Sequence, residues 1–152
     1  MVKITLEQIK KLRLKTKAGV LDCRQALEES RGDLTKAEKW LRKKGIEAAA
    51  KKEGRETKHG WVGAYSHHDG TKASLVALAC ETDFVARTQE FKTLVQEIAM
   101  QVTAMAPKDV KTLLKQPWIR DESRTIADLL KEMTAKTGEN IVLKDFKRVD
   151  LK

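Results

Sequence analysis

Few residues in this chain are of types that do covalent chemistry, and their spacing fits little of it. His67 and His68 are adjacent, so on a strand their side chains point to opposite faces and cannot converge on one ion. Only His59 joins them, and the two cysteines, Cys23 and Cys80, are far apart with no Cys-x-x-Cys spacing. The chain therefore supplies no zinc set, and no metal or other cofactor is expected. No glycine loop ending in Gly-Lys-Ser/Thr is present, so nucleotide hydrolysis by the chain itself is not expected. A nucleophile elbow and a Ser/His/Asp set are missing too, and enzymatic work on a small molecule has no support. The stretch that stands out is Glu81-Thr82-Asp83-Phe84-Val85-Ala86-Arg87. Thr82 and Asp83 are good helix N-cap types, so it reads as a plain strand-to-helix turn with Phe84 packed inward. It also reads as a turn that presents an acid beside an exposed aromatic, a pair able to wedge into a partner.

Charge points the same way, toward partners. The 152 residues carry a net +9. Residues 1–58 hold 17 Lys and Arg against 9 Asp and Glu, so nearly all of the excess sits at one end. Such a basic module suits an acidic protein surface or a nucleic acid, or is simply a set of well-solvated helices. At 41% hydrophobic and 35% charged residues, the composition is that of a folded domain. No apolar run approaches the ~20 residues that span a bilayer, and the opening MVKITLEQIKKLRLK has no apolar leader stretch. A cytoplasmic protein with reduced thiols and no membrane contact is expected.

The elements that would position these groups follow from periodicity. Leu6, Ile9 and Leu12 lie on one side of a helix over 5–15, with Thr5 and Gln8 spaced for a capping box. Gly19 breaks it, and a second helix over about 20–30 turns Cys23, Ala26 and Leu27 inward. After Gly32-Asp33 a third carries Leu34, Ala37 and Leu41 and is expected to stop before Gly45. Residues 46–58 read as a fourth helix fraying into a linker. Beyond it the period becomes that of strands, over 61–67 and 73–80, with His68-Asp69-Gly70-Thr71 as the hairpin turn. Phe91, Leu94, Val95, Ile98, Val102 and Met105 mark a long helix ended by Pro107. Residues 107–121 give little signal. Ile126, Leu129, Leu130 and Met133 mark another helix closed by Gly138, and 140–151 reads as a last strand. The fold class is α+β: a three-helix bundle over 1–54, then a small antiparallel sheet with packed helices over 55–152.

Three stretches in order resemble one family. The first is Leu12-Arg13, Thr16, Ala18-Gly19-Val20-Leu21-Asp22-Cys23-Arg24, Ala26-Leu27, Gly32-Asp33, Lys36-Ala37 and Leu41-Arg42. The second is Cys80-Glu81-Thr82-Asp83-Phe84-Val85-Ala86-Arg87, and the third Lys136-Thr137-Gly138-Glu139-Asn140-Ile141. Together they resemble the translation elongation factor Ts family over nearly the whole chain. The resemblance implies guanine nucleotide exchange on elongation factor Tu, an acidic protein in most bacteria. Asp83 and Phe84, flanked by Thr82 and Val85, would insert near its magnesium and phosphate site and loosen GDP. The first module, UBA-like, would dock through Leu12, Val20, Leu21 and Arg24.

Two departures from the family pattern matter. Lys17 stands where the family usually has glycine. The passage from Met105-Ala106-Pro107 to Gln116-Pro117-Trp118 is short, which implies a half-core of the kind that pairs as a homodimer. Two other classes compete. A basic RNA-binding module lacks aromatic interleaving, because Trp40 is the only aromatic in 1–58, so no direct nucleic-acid contact is expected. A generic helical interaction module accounts for residues 1–45 alone.

Overall fold

The computed structural model describes residues 2–152, and the chain divides into two units, one ending at Lys51 and one running from Lys52 to Lys152. The first unit holds α1 (Leu6–Thr16), α2 (Val20–Glu29) and α3 (Leu34–Ala50). Thr5 and Gln8 form the expected capping box: Gln8 N–H donates to Thr5 Oγ1 at 3.2 Å, and Thr5 N–H to Gln8 Oε1 at 2.9 Å. Asp33 caps α3 by accepting from Lys36 N–H at 3.0 Å. Ile9, Leu12, Cys23, Ala26, Leu27 and Ala37 make the core, with Trp40 and Leu41 packed on its rim.

One boundary differs from the sequence reading. Gly45 does not end α3; the helix runs through it to Ala50, and residues 55–58 have no regular structure. A single glycine costs a helix interior about 1 kcal/mol, and the Ala48-Ala49-Ala50 run beyond it recovers that amount. The expected fourth helix is thus the end of the third.

The second unit is α+β, as expected. β1 (His59–Ser66), β2 (Lys72–Cys80) and β5 (Val142–Asp150) form an antiparallel sheet in the order β1-β2-β5. Val62 pairs with Ala77, and Val76 with Phe146, with a bulge between Ala77 and Leu78. Alternation on β2 sends Ser74, Val76, Leu78 and Cys80 to one buried face. On that face lies α5 (Gln89–Met105), burying Phe91, Leu94, Val95, Ile98 and Val102; Met105 at its end is exposed instead. Helix and sheet approach so closely at Gly63 that a Cβ there would stand 2.5 Å from Val95 Cγ1. α7 (Ile126–Thr137) adds Ile126, Leu129, Leu130 and Met133 to the same core.

The stretch with little sequence signal is ordered. After the four-residue α4 (Asp83–Ala86) and α5 come α6 (Val110–Lys115) and a ribbon of β3 (Pro117–Trp118) and β4 (Asp121–Thr125). The buried Gln101 amide seals the ribbon: it donates to the Pro117 carbonyl at 3.0 Å and accepts from Ile119 N–H at 2.9 Å.

Lys17 sits at the C-cap of α1 with φ 59°, in the left-handed region that costs a side-chain-bearing residue roughly 1–2 kcal/mol. Glycine avoids that cost but loses more backbone entropy on folding. Lys17→Gly is expected to stabilise the protein by a net ~0.5–1 kcal/mol. Urea unfolding followed by circular dichroism reads the change; an unchanged midpoint would show that the turn holds no strain.

Candidate functional site

Residues 81–87 leave β2 and turn into α4, a single helical turn. Thr82 is its N-cap, accepting from Val85 N–H at 3.4 Å. Val85 packs against the core and Ala86 is buried, which fixes one side of the turn. The other side faces out. Phe84 is 82% exposed, so its ring does not pack inward. Beside it the half-exposed Asp83 carboxylate has Arg87 Nη2 at 3.7 Å.

What holds this turn comes from the far end of the unit. Gly138 takes φ 75° and closes α7, turning the chain so that Glu139 points back. Glu139 Oε1 accepts from Glu81 N–H at 3.1 Å and Thr82 N–H at 2.9 Å, and Oε2 accepts from the Thr82 hydroxyl at 2.7 Å. The exchange is reciprocal: Glu81 Oε1 accepts from Asn140 N–H at 2.7 Å. Asn140 Nδ2 then donates to the Arg55 carbonyl at 2.8 Å, and the Arg55 guanidinium lies 3.7 Å from Glu81. The second and third sequence matches are therefore one site in space. The sequence alone does not mark Glu81, Glu139, Asn140 or Arg55 as site residues. Glu81, Glu139 and Asn140 lie inside the second and third matches and Arg55 in neither, and sequence spacing cannot pair positions 57 and 58 residues apart.

The buried Cys80 thiol donates to the Thr82 carbonyl at 3.1 Å. Burial pushes it up from 9.0 to about 11, the Glu139 carboxylate adding to the effect against the backbone hydrogen bonds that lower it. The thiol stays protonated and acts as a donor to the turn.

In the first unit, Val20 is 48% and Leu21 80% exposed at the start of α2. Arg24 is exposed one turn on, with Nε 2.9 Å from Glu28. Leu12 is different: it is fully buried and supports the bundle from beneath, so it offers no surface to a partner. The expectation of a direct Leu12 contact does not survive, because its place on α1 faces the core with Ile9. Among the described residues no group of three or more His, Cys, Asp or Glu could hold a metal ion.

Groups that project from the surface on braced elements, rather than lining a cleft, mark a protein built to engage another macromolecule. Comparison with known proteins makes that specific. The family model described as Elongation factor TS matches residues 81–152, starting at the acid that precedes Thr82. The chain is 39% identical to Elongation factor Ts of Thermotoga neapolitana, covering 99% of this chain and 98% of that one. It is likewise 39% identical to Elongation factor Ts of Coprothermobacter proteolyticus, over 97% of this chain and 98% of that protein. Against Elongation factor Ts of Rippkaea orientalis it is 38% identical, over 97% and 78% respectively. The chain belongs to the elongation factor Ts family and is a factor of translation elongation. It is also shorter than its relatives across the shared region. The Thermotoga alignment runs over 193 positions, while 99% of 152 residues is about 150, so about 40 positions have no residue here.

The raised Cys80 thiol gives a signed expectation. A folded value above the unfolded one leaves stability untouched below about pH 9 and erodes it as pH climbs toward about 11. Cys80→Ala should flatten that part of a stability–pH curve relative to wild type, and native Cys80 should resist iodoacetamide at pH 8 until the chain unfolds. Rapid native alkylation of Cys80 would contradict the buried, protonated thiol.

Proposed function

We propose that this protein is a guanine nucleotide exchange factor that binds GDP-bound elongation factor Tu and promotes GDP release. The observation that carries the reading is Phe84, left 82% exposed on a turn braced from three sides. Leaving such a ring in water forgoes ~1.5–3 kcal/mol of burial. That energy becomes available when the ring enters a partner. If the ring is buried only in the nucleotide-free partner, linkage requires GDP to lose affinity by the same ratio. At ~1.4 kcal/mol per tenfold, Phe84 alone would weaken GDP by roughly ten- to a hundredfold. Asp83 enters with it and competes for the groups that hold magnesium and phosphate. Thr82 and Val85 fix the turn. No bond is broken, so the protein acts as a binding factor and not on a substrate.

The first unit docks the factor through the exposed Val20 and Leu21 pair with Arg24 beside it. Its excess of Lys and Arg suits an acidic partner, and the protein acts in the cytoplasm. No helix among the described residues is long and apolar enough to cross a membrane.

The short core acts as a homodimer. The sheet face away from α5 carries Val62, Leu75 and Val149, all exposed, with Ala73 and Ala77 between them by register, and along β5 the exposed Asp145–Lys147 pair at 3.4 Å. An uncovered face of this kind, apolar over β1 and β2 and charged along β5, suits a second copy. Light scattering after size exclusion should give twice the chain mass, and Leu75→Asp should halve it. A monomeric wild type at micromolar concentration would remove the dimer from the reading.

Release of a fluorescent GDP analogue from elongation factor Tu tests the main proposal. Wild type should accelerate release strongly, Phe84→Ala should lose roughly ten- to a hundredfold of it, and Asp83→Ala should also drop sharply. No acceleration by saturating wild type would overturn the exchange reading.

A further inference from the structure

We infer that Glu139 is the positioning residue of the exchange turn: its carboxylate sets where Asp83 and Phe84 stand, and thereby the rate at which bound partner releases GDP. The inference rests on the exchange reading above and adds a residue that touches neither the partner nor the nucleotide.

The argument begins with what α4 cannot do for itself. Four residues are too few to sustain a helix, because the first turn fixes several dihedrals for one hydrogen bond. Phe84 cannot anchor the turn, since its ring is in water, and Asp83 holds only a loose, exposed pair with Arg87. The fixing contacts are therefore Val85, Ala86, the Cys80 thiol and Glu139. Of these, Glu139 alone binds the two successive backbone N–H groups at the point where β2 ends. It does a second thing. Because the Thr82 hydroxyl spends its proton on Glu139 Oε2, its oxygen is left as an acceptor toward Val85 N–H, which is the N-cap bond of α4. The carboxylate thus sets both the backbone course and the orientation of the cap. Bonds to a charged acceptor are the stronger kind, and here three converge on one side chain.

Glu139 is itself fixed by the left-handed Gly138 and by Glu139 N–H donating to Thr137 Oγ1 at 3.2 Å. The Glu81–Asn140 bond locks the return side. The turn is thus registered to the end of α7.

The roles separate in a titration. Docking through the first unit sets how much factor is needed, whereas the placement of Phe84 sets how fast bound partner lets GDP go. Misplacing a working group by about 1 Å costs up to ~100-fold. In full-length protein, Glu139→Ala should lower the saturating GDP-release rate by about tenfold or more, with the half-saturating concentration shifted less than about twofold. Glu139→Gln keeps one acceptor oxygen for the backbone but offers no second acceptor to the Thr82 hydroxyl, so it should fall between. Hydrogen exchange should show the Glu81 and Thr82 amides losing protection in Glu139→Ala and keeping most of it in Glu139→Gln. Ser74→Ala is the control for general destabilisation: its hydroxyl donates to the Ala99 carbonyl at 2.6 Å, inside the core and away from the turn. It should leave the saturating rate unchanged.

An unchanged saturating rate in Glu139→Ala overturns the inference, as does an equal loss in Ser74→Ala. A half-saturating concentration that rises as much as the rate falls also overturns it, because Glu139 would then be a docking or folding residue. If wild type itself fails to accelerate release, the exchange reading falls and this role with it, an outcome distinct from loss in the variant alone.

Discussion

An isolated helical turn has no stability of its own, and an aromatic ring in water adds none. A protein that presents both at its surface must import rigidity from elsewhere. Here the source is a single half-buried acceptor, the Glu139 carboxylate, taking two backbone N–H groups and a hydroxyl across 57 and 58 residues of sequence. Much of the second unit can be understood as the apparatus that delivers this group. β5 pairs with β2, so the chain before β5 runs beside the end of β2. α7 packs its Ile126, Leu129, Leu130 and Met133 row into the core, which fixes where its last turn lies. Gly138 then reverses the backbone in a conformation that residues with a Cβ resist.

Local rules carried much of the fold. The capping box at Thr5 and Gln8, the Asp33 cap, the Gly70 hairpin turn and the stripe on α5 are all short-range signals, and the structure realises each of them. The structure departs from the local signals where tertiary context outweighs a local preference. Gly45 reads as a stop, yet helix formers on both sides carry α3 past it. Residues 107–121 have no sustained period because the stretch is split between the six-residue α6 and a ribbon held by a side-chain amide, Gln101, reaching across from α5. Leu12 belongs to a family match and looked like a contact, but its helical phase places it with Ile9 in the core. At the turn into α4, Thr82 as a cap was legible in the residue types. The outward course of Phe84 was not, because the same pattern serves an inward ring. Nor was the Glu139 contact, which exists only once the sheet has closed.

The cores of both units are closed by aliphatic side chains, and Phe91 is fully buried. Against that background Phe84, Leu21 and the outer sheet residues are unspent burial energy, placed on braced backbone instead of loose loops. Preorganisation matters because ordering a flexible segment at the moment of binding would consume part of the energy that the exchange reading assigns to displacing nucleotide.

The separation of Thr82 from Glu139 along the chain has a temporal meaning too. As the protein is made, its bundle, β1, β2 and α5 all emerge before the residue that fixes the turn. Helix-rich bundles of local contacts order quickly, whereas the Glu139 bonds wait for nearly the last strand. A nascent copy still attached to its ribosome can therefore fold its first unit while the turn at residues 82–87 remains unset. Until α7 has been made and packed, nothing supplies the Glu139 bonds to the turn that carries Asp83 and Phe84.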